Sequence, residues 1–231
     1  MEIERLYALF RNSAGITTDS RAVKKGEIFF ALRGPSHDGN RHALTALEAG
    51  ALAAVVDDPS LSGERIIVVN DVLETMSSVA ACHRRRLQMP VIGVTGTNGK
   101  TTTKELLTAV LSRQGRVHST PGNFNNHIGV PLTLLSAPDD AAFLVVEMGA
   151  NHMGEIAALC GTAMPTHGII TNIGTAHIEG FGSFENVRKA KSELYQSLKS
   201  NGGTIIYNDE NPILAEMAAG VAHAVPYSSP G

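Results

Sequence analysis

The sequence predicts an α/β fold in two parts: a small N-terminal α/β domain over residues 1–88, then a mainly parallel-sheet domain over residues 89–231. Three observations carry this. Short β-branched runs such as Ile66 to Val69 and Phe143 to Val146 alternate with stretches of helical apolar spacing, the pattern of strands joined by crossover helices. A glycine-rich turn stands between one such run and a helix-type sequence at Val91 to Thr103, V-I-G-V-T-G-T-N-G-K-T-T-T. Pro90, just after the basic turn Arg84 to Arg86, disfavours helix before it and marks the boundary between the parts.

In the first part, Ile28 to Leu32 reads as a buried strand between a Lys-Lys-Gly turn and the loop Arg33 to Asn40. A helix follows over Arg41 to Glu48, ended by Gly50, and then strands at Leu52 to Val56 and Ile66 to Val69. Asp71 can cap the next helix with Glu74 reaching back, and Leu73, Met76 and Val79 mark one face. The exposed polar candidates are Ser20, Arg21, Arg33 and Asp38. They would suit a nucleoside diphosphate, and they read equally well as caps and solvated loop charges.

The second part opens on a phosphate cradle. Glycines at 93, 96 and 99 replace the strict spacing G-x-x-x-x-G-K-[ST], which would need glycine where Val94 stands. Backbone N–H groups of Gly96, Thr97, Asn98 and Gly99 can face an anion, and the positive end of the helix beginning near Lys100 points at the same place. Lys100 supplies a mobile charge, and the Thr101 hydroxyl can ligate Mg²⁺, with Thr102 beside it. The implied ligand is ATP.

Beyond the cradle, Leu106, Leu107, Val110 and Leu111 make an apolar stripe. Asn123, Asn125 and Asn126 crowd Thr120 to Leu135, a segment punctuated by glycine and proline as binding loops are. The strand Phe143 to Val146 delivers Glu147 at its carboxyl end, where doubly wound sheets gather ligands and a carboxylate suits a nucleotide-bound Mg²⁺. Another strand over Gly168 to Asn172 leads to His177 and Glu179, with His177 either structural or touching metal or phosphate. Ser183 caps a helix with Val187, Ala190, Leu194 and Leu198 on its apolar side, and Arg188, Lys189 and Lys191 read as a solvated face. A strand over Gly203 to Tyr207, a turn, a helix over Pro212 to Ala219 and a strand-like run Ala222 to Tyr227 close the chain.

Bulk properties exclude several classes. A net charge of −3, no tryptophan and no basic run interleaved with aromatics argue against a nucleic-acid partner. No apolar run reaches the length of a membrane span, and M-E-I-E-R lacks a signal peptide's basic start, so membrane insertion is not expected and a cytoplasmic location is. Cys82 and Cys160, far apart in apolar surroundings, read as two reduced core thiols.

Taken together, G-T-N-G-K-T-T, N-F-N-N-H-I-G-V-P, E-M-G-A-N, T-N-I-G-T-A-H-I-E-G-F-G-S and A-K-S-E-L resemble the Mur ligase family across nearly the whole chain. E-M-G-A-N and the N-F-N-N block resemble the member that joins D-alanyl-D-alanine to a UDP-N-acetylmuramoyl tripeptide, through an acyl phosphate made with ATP. The resemblance implies that Gly96 to Thr102 hold the phosphates, that Lys100, Glu147, His177 and Lys191 carry the chemistry, and that Thr101 and Glu147 share one Mg²⁺ while His177 serves a second metal. It implies further that Lys191 takes up CO₂ as a carbamate that binds or orients metal, and that Asn208 and Asp209 lie near the adenosine. Ser20, Arg21 and Arg33 would face the UDP group, and Asn123, Asn125 and Asn126 the diphosphate-sugar.

Two departures qualify the match. Asn40 stands where D-G-H is common, and family members carry a C-terminal Rossmann-like domain for which no sequence remains after residue 231. The expectation is weak binding with slow or no ligation by this polypeptide. The competing readings are a non-catalytic nucleotide or UDP-sugar-binding module and a generic phosphate-loop kinase or GTPase. The last would need neither E-M-G-A-N nor A-K-S-E-L, and no T/N-K-x-D guanine reader is present.

Overall fold

The computed structural model describes residues 3–174 and 178–229. The chain divides into two compact units, residues 1–86 and 87–231.

The first unit begins with helix α1 (Ile3–Arg11), for which the sequence reading had no element; its buried face is Leu6, Tyr7 and Phe10. Strands β1 (Ile16–Thr17), β2 (Ile28–Phe30), β5 (Ala53–Val56) and β6 (Ile66–Val68) form a parallel sheet in the order β1-β2-β5-β6, and β3 (Arg33–Gly34) pairs with β4 (His37–Asp38) as an antiparallel hairpin. A 3-10 turn over Gly39–His42 leads into α2 (Ala43–Glu48). One side of the sheet is closed by Phe29, Ala46, Leu47, Ala54 and Val56. Helix α3 (Val72–Arg84) starts where the Asp71 carboxylate accepts the Glu74 N–H at 2.7 Å, the capping geometry expected of an aspartate there. Its core positions are Val72, Met76 and Val79, so Val72 takes the place expected of Leu73.

The second unit is a six-stranded parallel sheet in the order β12-β11-β10-β7-β9-β8. Its strands are β7 (Val91–Thr95), β8 (Val117–Ser119), β9 (Phe143–Glu147), β10 (His167–Ile170), β11 (Thr204–Asn208) and β12 (Ala224–Tyr227). The connecting helices are α4 (Lys100–Leu111), α5 (Gly129–Leu135), α6 (Glu155–Ala163), α7 (Ile178–Phe181), α8 (Phe184–Asn201) and α9 (Pro212–Ala218). Strand β7 is flanked by β9 on one side and β10 on the other, so the winding reverses beside it. Such a reversal opens a crevice at the carboxyl ends of the strands, where Gly96, Glu147 and Thr171 all emerge.

Three expectations need correction. Leu107 and Leu111 pack against Ile92, Val94 and Val145, but Leu106 and Val110 are 63% and 68% exposed, because the inward stripe of α4 runs 104, 107, 111. The binding loop stops at Ile128; Gly129 onward is helix, with Pro131 tolerated in its first turn. Lys191 is not on a solvated face: it is buried beside Ala190 and Leu194. Cys82 and Cys160 are buried free thiols. Among the described residues, no helix is long and apolar enough to cross a membrane.

Candidate active site

The turn between β7 and α4 is shaped from across the sheet. Gly96 has φ +146°, and a Cβ there would overlap the Thr171 hydroxyl, so only glycine lets the turn approach the end of β10 this closely. Asn172 then clasps the turn: its carbonyl accepts the Thr97 N–H (3.1 Å), its Oδ1 accepts the Asn98 N–H (3.1 Å) and its Nδ2 donates to the Asn98 carbonyl (3.0 Å). Thr171 donates to the same carbonyl (2.6 Å), and the Thr97 hydroxyl accepts the Gly174 N–H (2.9 Å). Thr97 and Asn98 therefore spend their N–H groups on holding the turn. The helical N–H groups of Lys100, Thr101 and Thr102 precede the first i to i−4 bond, from Thr103 to the Gly99 carbonyl (2.9 Å), and form the anion-facing end of α4. The Lys100 ammonium closes back on the Gly96 and Thr97 carbonyls (2.9 and 3.1 Å), and burial lowers its pKa against the opposing pull of Glu147.

Glu147 ends β9 at 1% exposure. Its N–H donates to the Thr120 hydroxyl (3.0 Å) and its Oε1 accepts from Asn125 Nδ2 (2.7 Å), but its Oε2 is buried with no hydrogen-bond partner among the described residues. An unpaired buried carboxylate oxygen is costly, and it is what a hard, oxygen-seeking cation such as Mg²⁺ would satisfy. The donor set fits on that ground, with Glu147 and the exposed Thr101 as the protein's contribution. No group of three or more His, Cys, Asp and Glu side chains able to hold a metal gathers among the described residues, here or elsewhere. Gly149 matters here as well: a Cβ on it would stand 2.7 Å from Asn125 Oδ1, so glycine in E-M-G-A-N admits the asparagine that holds Glu147.

A cavity of about 380 Å³ is lined by Lys100, Asn125, His127, Asn151, Glu155 and Lys191, among others. Lys191 is 3% exposed, and its pKa is lowered to about 8, chiefly by burial and next by the charge of Lys100, with Glu155 and Glu193 opposing. Its ammonium lies 5.6 Å from the Phe181 ring centroid. Glu193 fixes α8 to the start of α6, its two oxygens accepting the Gly154 and Ala157 N–H groups at 2.7 and 2.8 Å.

The other sequence candidates are placed as follows. Asn126 caps the start of α5 through the Ile128 and Gly129 N–H groups (3.0 and 2.9 Å), while Asn123 is exposed beside the cavity loop. Asn208 accepts the Glu210 N–H (3.0 Å) in the turn after β11. In the first unit, Ser20 is half-buried, and the exposed Arg21 forks onto Asp19 (2.9 and 2.9 Å), whose pKa its hydrogen bonds hold at about 2. Arg33 pairs with Asp57 (2.7 Å), and the buried Asn40 bridges Asp38 and Asp57 (2.9 and 2.8 Å), a structural use for the residue that departs from D-G-H. His177 and the side chain of Glu179 lie outside the described residues. Asn172, Thr120 and Glu193 were given no role from sequence. For Asn172, the signal was an asparagine directly following a strand that ends at the ligand edge.

Comparison with known proteins places this geometry. Residues 12–93 match the model described as Mur ligase family, catalytic domain, and residues 94–228 match the Mur ligase middle domain. The UDP-N-acetylmuramoyl-tripeptide–D-alanyl-D-alanine ligase of Synechocystis is 47% identical over 88% of this chain and 45% of its own length. The ligase of the same name from Bacillus subtilis is 43% identical over 87% of this chain and 44% of its own. The crystal structure of MurF ligase from Thermotoga maritima in complex with ADP superposes with a TM-score of 0.87 at 31% identity, covering 96% of this chain and 52% of that one. The chain thus spans about half the length of the relatives it matches.

Proposed function

Because the chain belongs to the Mur ligase family, we propose that it works as the ATP-dependent ligase joining D-alanyl-D-alanine to UDP-N-acetylmuramoyl tripeptide. The observation that carries this reading is the convergence, at one sheet edge, of a helix N-terminus, two lysines whose pKa burial lowers, and a carboxylate with a buried oxygen unsatisfied among the described residues. A carboxylate is a poor electrophile. In the proposed reaction its oxygen attacks the γ-phosphorus of ATP, the bond to the β-phosphate oxygen breaks and ADP leaves. The dipeptide amine then attacks the acyl carbon, the carbon–oxygen bond to phosphate breaks, and the amine loses a proton as the amide forms.

The chain's own groups supply positioning and charge. The N–H groups at the start of α4 and the Lys100 ammonium neutralise the phosphates as negative charge builds on the leaving group. Bound Mg²⁺, held by Glu147 and Thr101, would add divalent charge at the phosphate oxygens. Lys191, neutral in a substantial fraction near pH 8, is the amine able to attack CO₂ and lose a proton to give an anionic carbamate facing the same cavity. Asn125 and Asn126 line the cavity proposed for the diphosphate-sugar, with Asn123 in the same loop, and the Ser20, Arg21 and Arg33 loops of the first unit are the proposed contacts for the UDP group. The Synechocystis and Bacillus subtilis relatives, both D-alanyl-D-alanine-adding ligases by name, support this choice of incoming amine.

The test is phosphate release from ATP in the presence of UDP-muramoyl tripeptide, with and without D-alanyl-D-alanine. The ligase reading expects release only when both are present. Nucleotide binding with no turnover under any combination supports the binding-module alternative, and turnover without the tripeptide supports a kinase or simple NTPase.

A further inference from the structure

Lys104 lies one helical turn beyond Lys100, on the inward stripe of α4 with Leu107 and Leu111, and is 1% exposed. Desolvating an ammonium costs several kcal/mol unless its donors are satisfied, and an apolar side chain of similar volume would fill such a place without that cost. Its Nζ donates to the Thr120 carbonyl (2.8 Å) and the Gly122 carbonyl (3.2 Å), with Glu105 Oε1 at 2.9 Å. Those carbonyls open the loop that reaches Asn125. Thr120 hydrogen-bonds the Glu147 backbone through its hydroxyl, and Asn125 hydrogen-bonds the Glu147 carboxylate. The main chain and the side chain of Glu147 are thus both held by the segment that Lys104 grips.

We infer that Lys104 is a positioning residue that ties the phosphate-facing helix to the loop orienting Glu147, so that nucleotide and Mg²⁺ binding are coupled through a buried ammonium. This rests on the reading of Glu147 as the cation's ligand given above. It assigns a second lysine of G-K-T-T-T-K a task distinct from that of Lys100: Lys104 meets no ligand and acts through carbonyls.

The experiment is Mg²⁺ titration of fluorescent ATP-analogue binding to the full chain, with thermal melting as the folding control. Lys104→Met is expected to move the Mg²⁺ midpoint upward by about tenfold or more, the range for residues that orient a metal's ligand, while binding of the metal-free nucleotide stays close to wild type. Lys104→Arg, which keeps the charge but not the ammonium geometry, is expected to fall between the two. A folded Lys104→Met protein with a lower melting temperature and an unmoved Mg²⁺ midpoint overturns the inference, because that is the behaviour of a merely structural lysine. If Lys104→Met does not fold, Lys104→Arg decides, and a wild-type midpoint there overturns the inference equally. A wild-type chain that binds nucleotide without any Mg²⁺ dependence removes the proposed role of Glu147 first, and this inference with it.

Discussion

Gly96→Ala is expected to lower ATP affinity by about 100-fold, or close to 3 kcal/mol, as measured by calorimetric titration. The new methyl group would overlap the Thr171 hydroxyl and stand 3.1 Å from the Thr171 nitrogen and 3.2 Å from that of Asn172. The obstacle is backbone as well as side chain, so a rotamer change cannot relieve it. The φ of +146° adds strain for any residue with a Cβ. The turn must therefore lift away from β10, and the clasp by Asn172 that aims the start of α4 is lost with it. The core of the second unit does not depend on that clasp, so the melting temperature is expected to fall by much less than the affinity implies. An affinity within about threefold of wild type, itself under 0.7 kcal/mol, would show that the turn does not set the phosphate-facing end of the helix.

Lys191→Ala is expected to reduce tripeptide-dependent turnover on the order of 10³-fold, the scale for losing a group that stabilises developing charge, while ATP affinity changes little. Added formate, which can place a carboxylate in the vacated space, is expected to restore part of the rate. The pH behaviour supplies a second signature. With a pKa of about 8 in the folded chain against 10.5 for an ordinary lysine, the unfolded chain holds a proton that the folded one has released across that interval. Stability linked to this group therefore rises with pH between those two values and is flat below them; Lys191→Ala should remove that slope. Carbon-13 NMR with labelled bicarbonate should show a carbamate resonance that grows as pH passes about 8 and is absent from Lys191→Ala. Unchanged turnover in the variant would exclude a role for Lys191 in the chemistry.

Much of this site could be read before the structure, and the reasons differ residue by residue. The Gly96 to Thr102 turn and Glu147 at the end of β9 are local signals: each depends on a strand terminus and its immediate neighbours, and ligands in doubly wound sheets collect there. Lys191 reads as solvated from its charge, but its spacing says otherwise. It falls three residues before Leu194 and four after Val187, on the same helical stripe as the core positions, so spacing alone places an ammonium inside. The same arithmetic applies to Lys104 with Leu107 and Leu111. In α4 the apolar residues Leu106 and Val110 draw the expected stripe around the helix, whereas a lysine marks its true inner side. Asn172 could not be found this way. Its bonds to Asn98 span 74 residues and exist only because β10 lies beside β7. Helix α1 gives little signal in the sequence because its buried face, Leu6, Tyr7 and Phe10, is short and gains its meaning from packing on α3.

The claim at the centre is that an acid is activated by phosphorylation between the α4 N-terminus and Glu147. The direct measurement is oxygen transfer: UDP-muramoyl tripeptide labelled with oxygen-18 in its terminal carboxylate, incubated with the chain, ATP, Mg²⁺ and D-alanyl-D-alanine, followed by mass analysis of the released phosphate. One labelled oxygen in each phosphate released is the predicted result, since the attacking oxygen leaves with phosphorus when the amide forms. Phosphate that carries only unlabelled oxygen while turnover proceeds would contradict it.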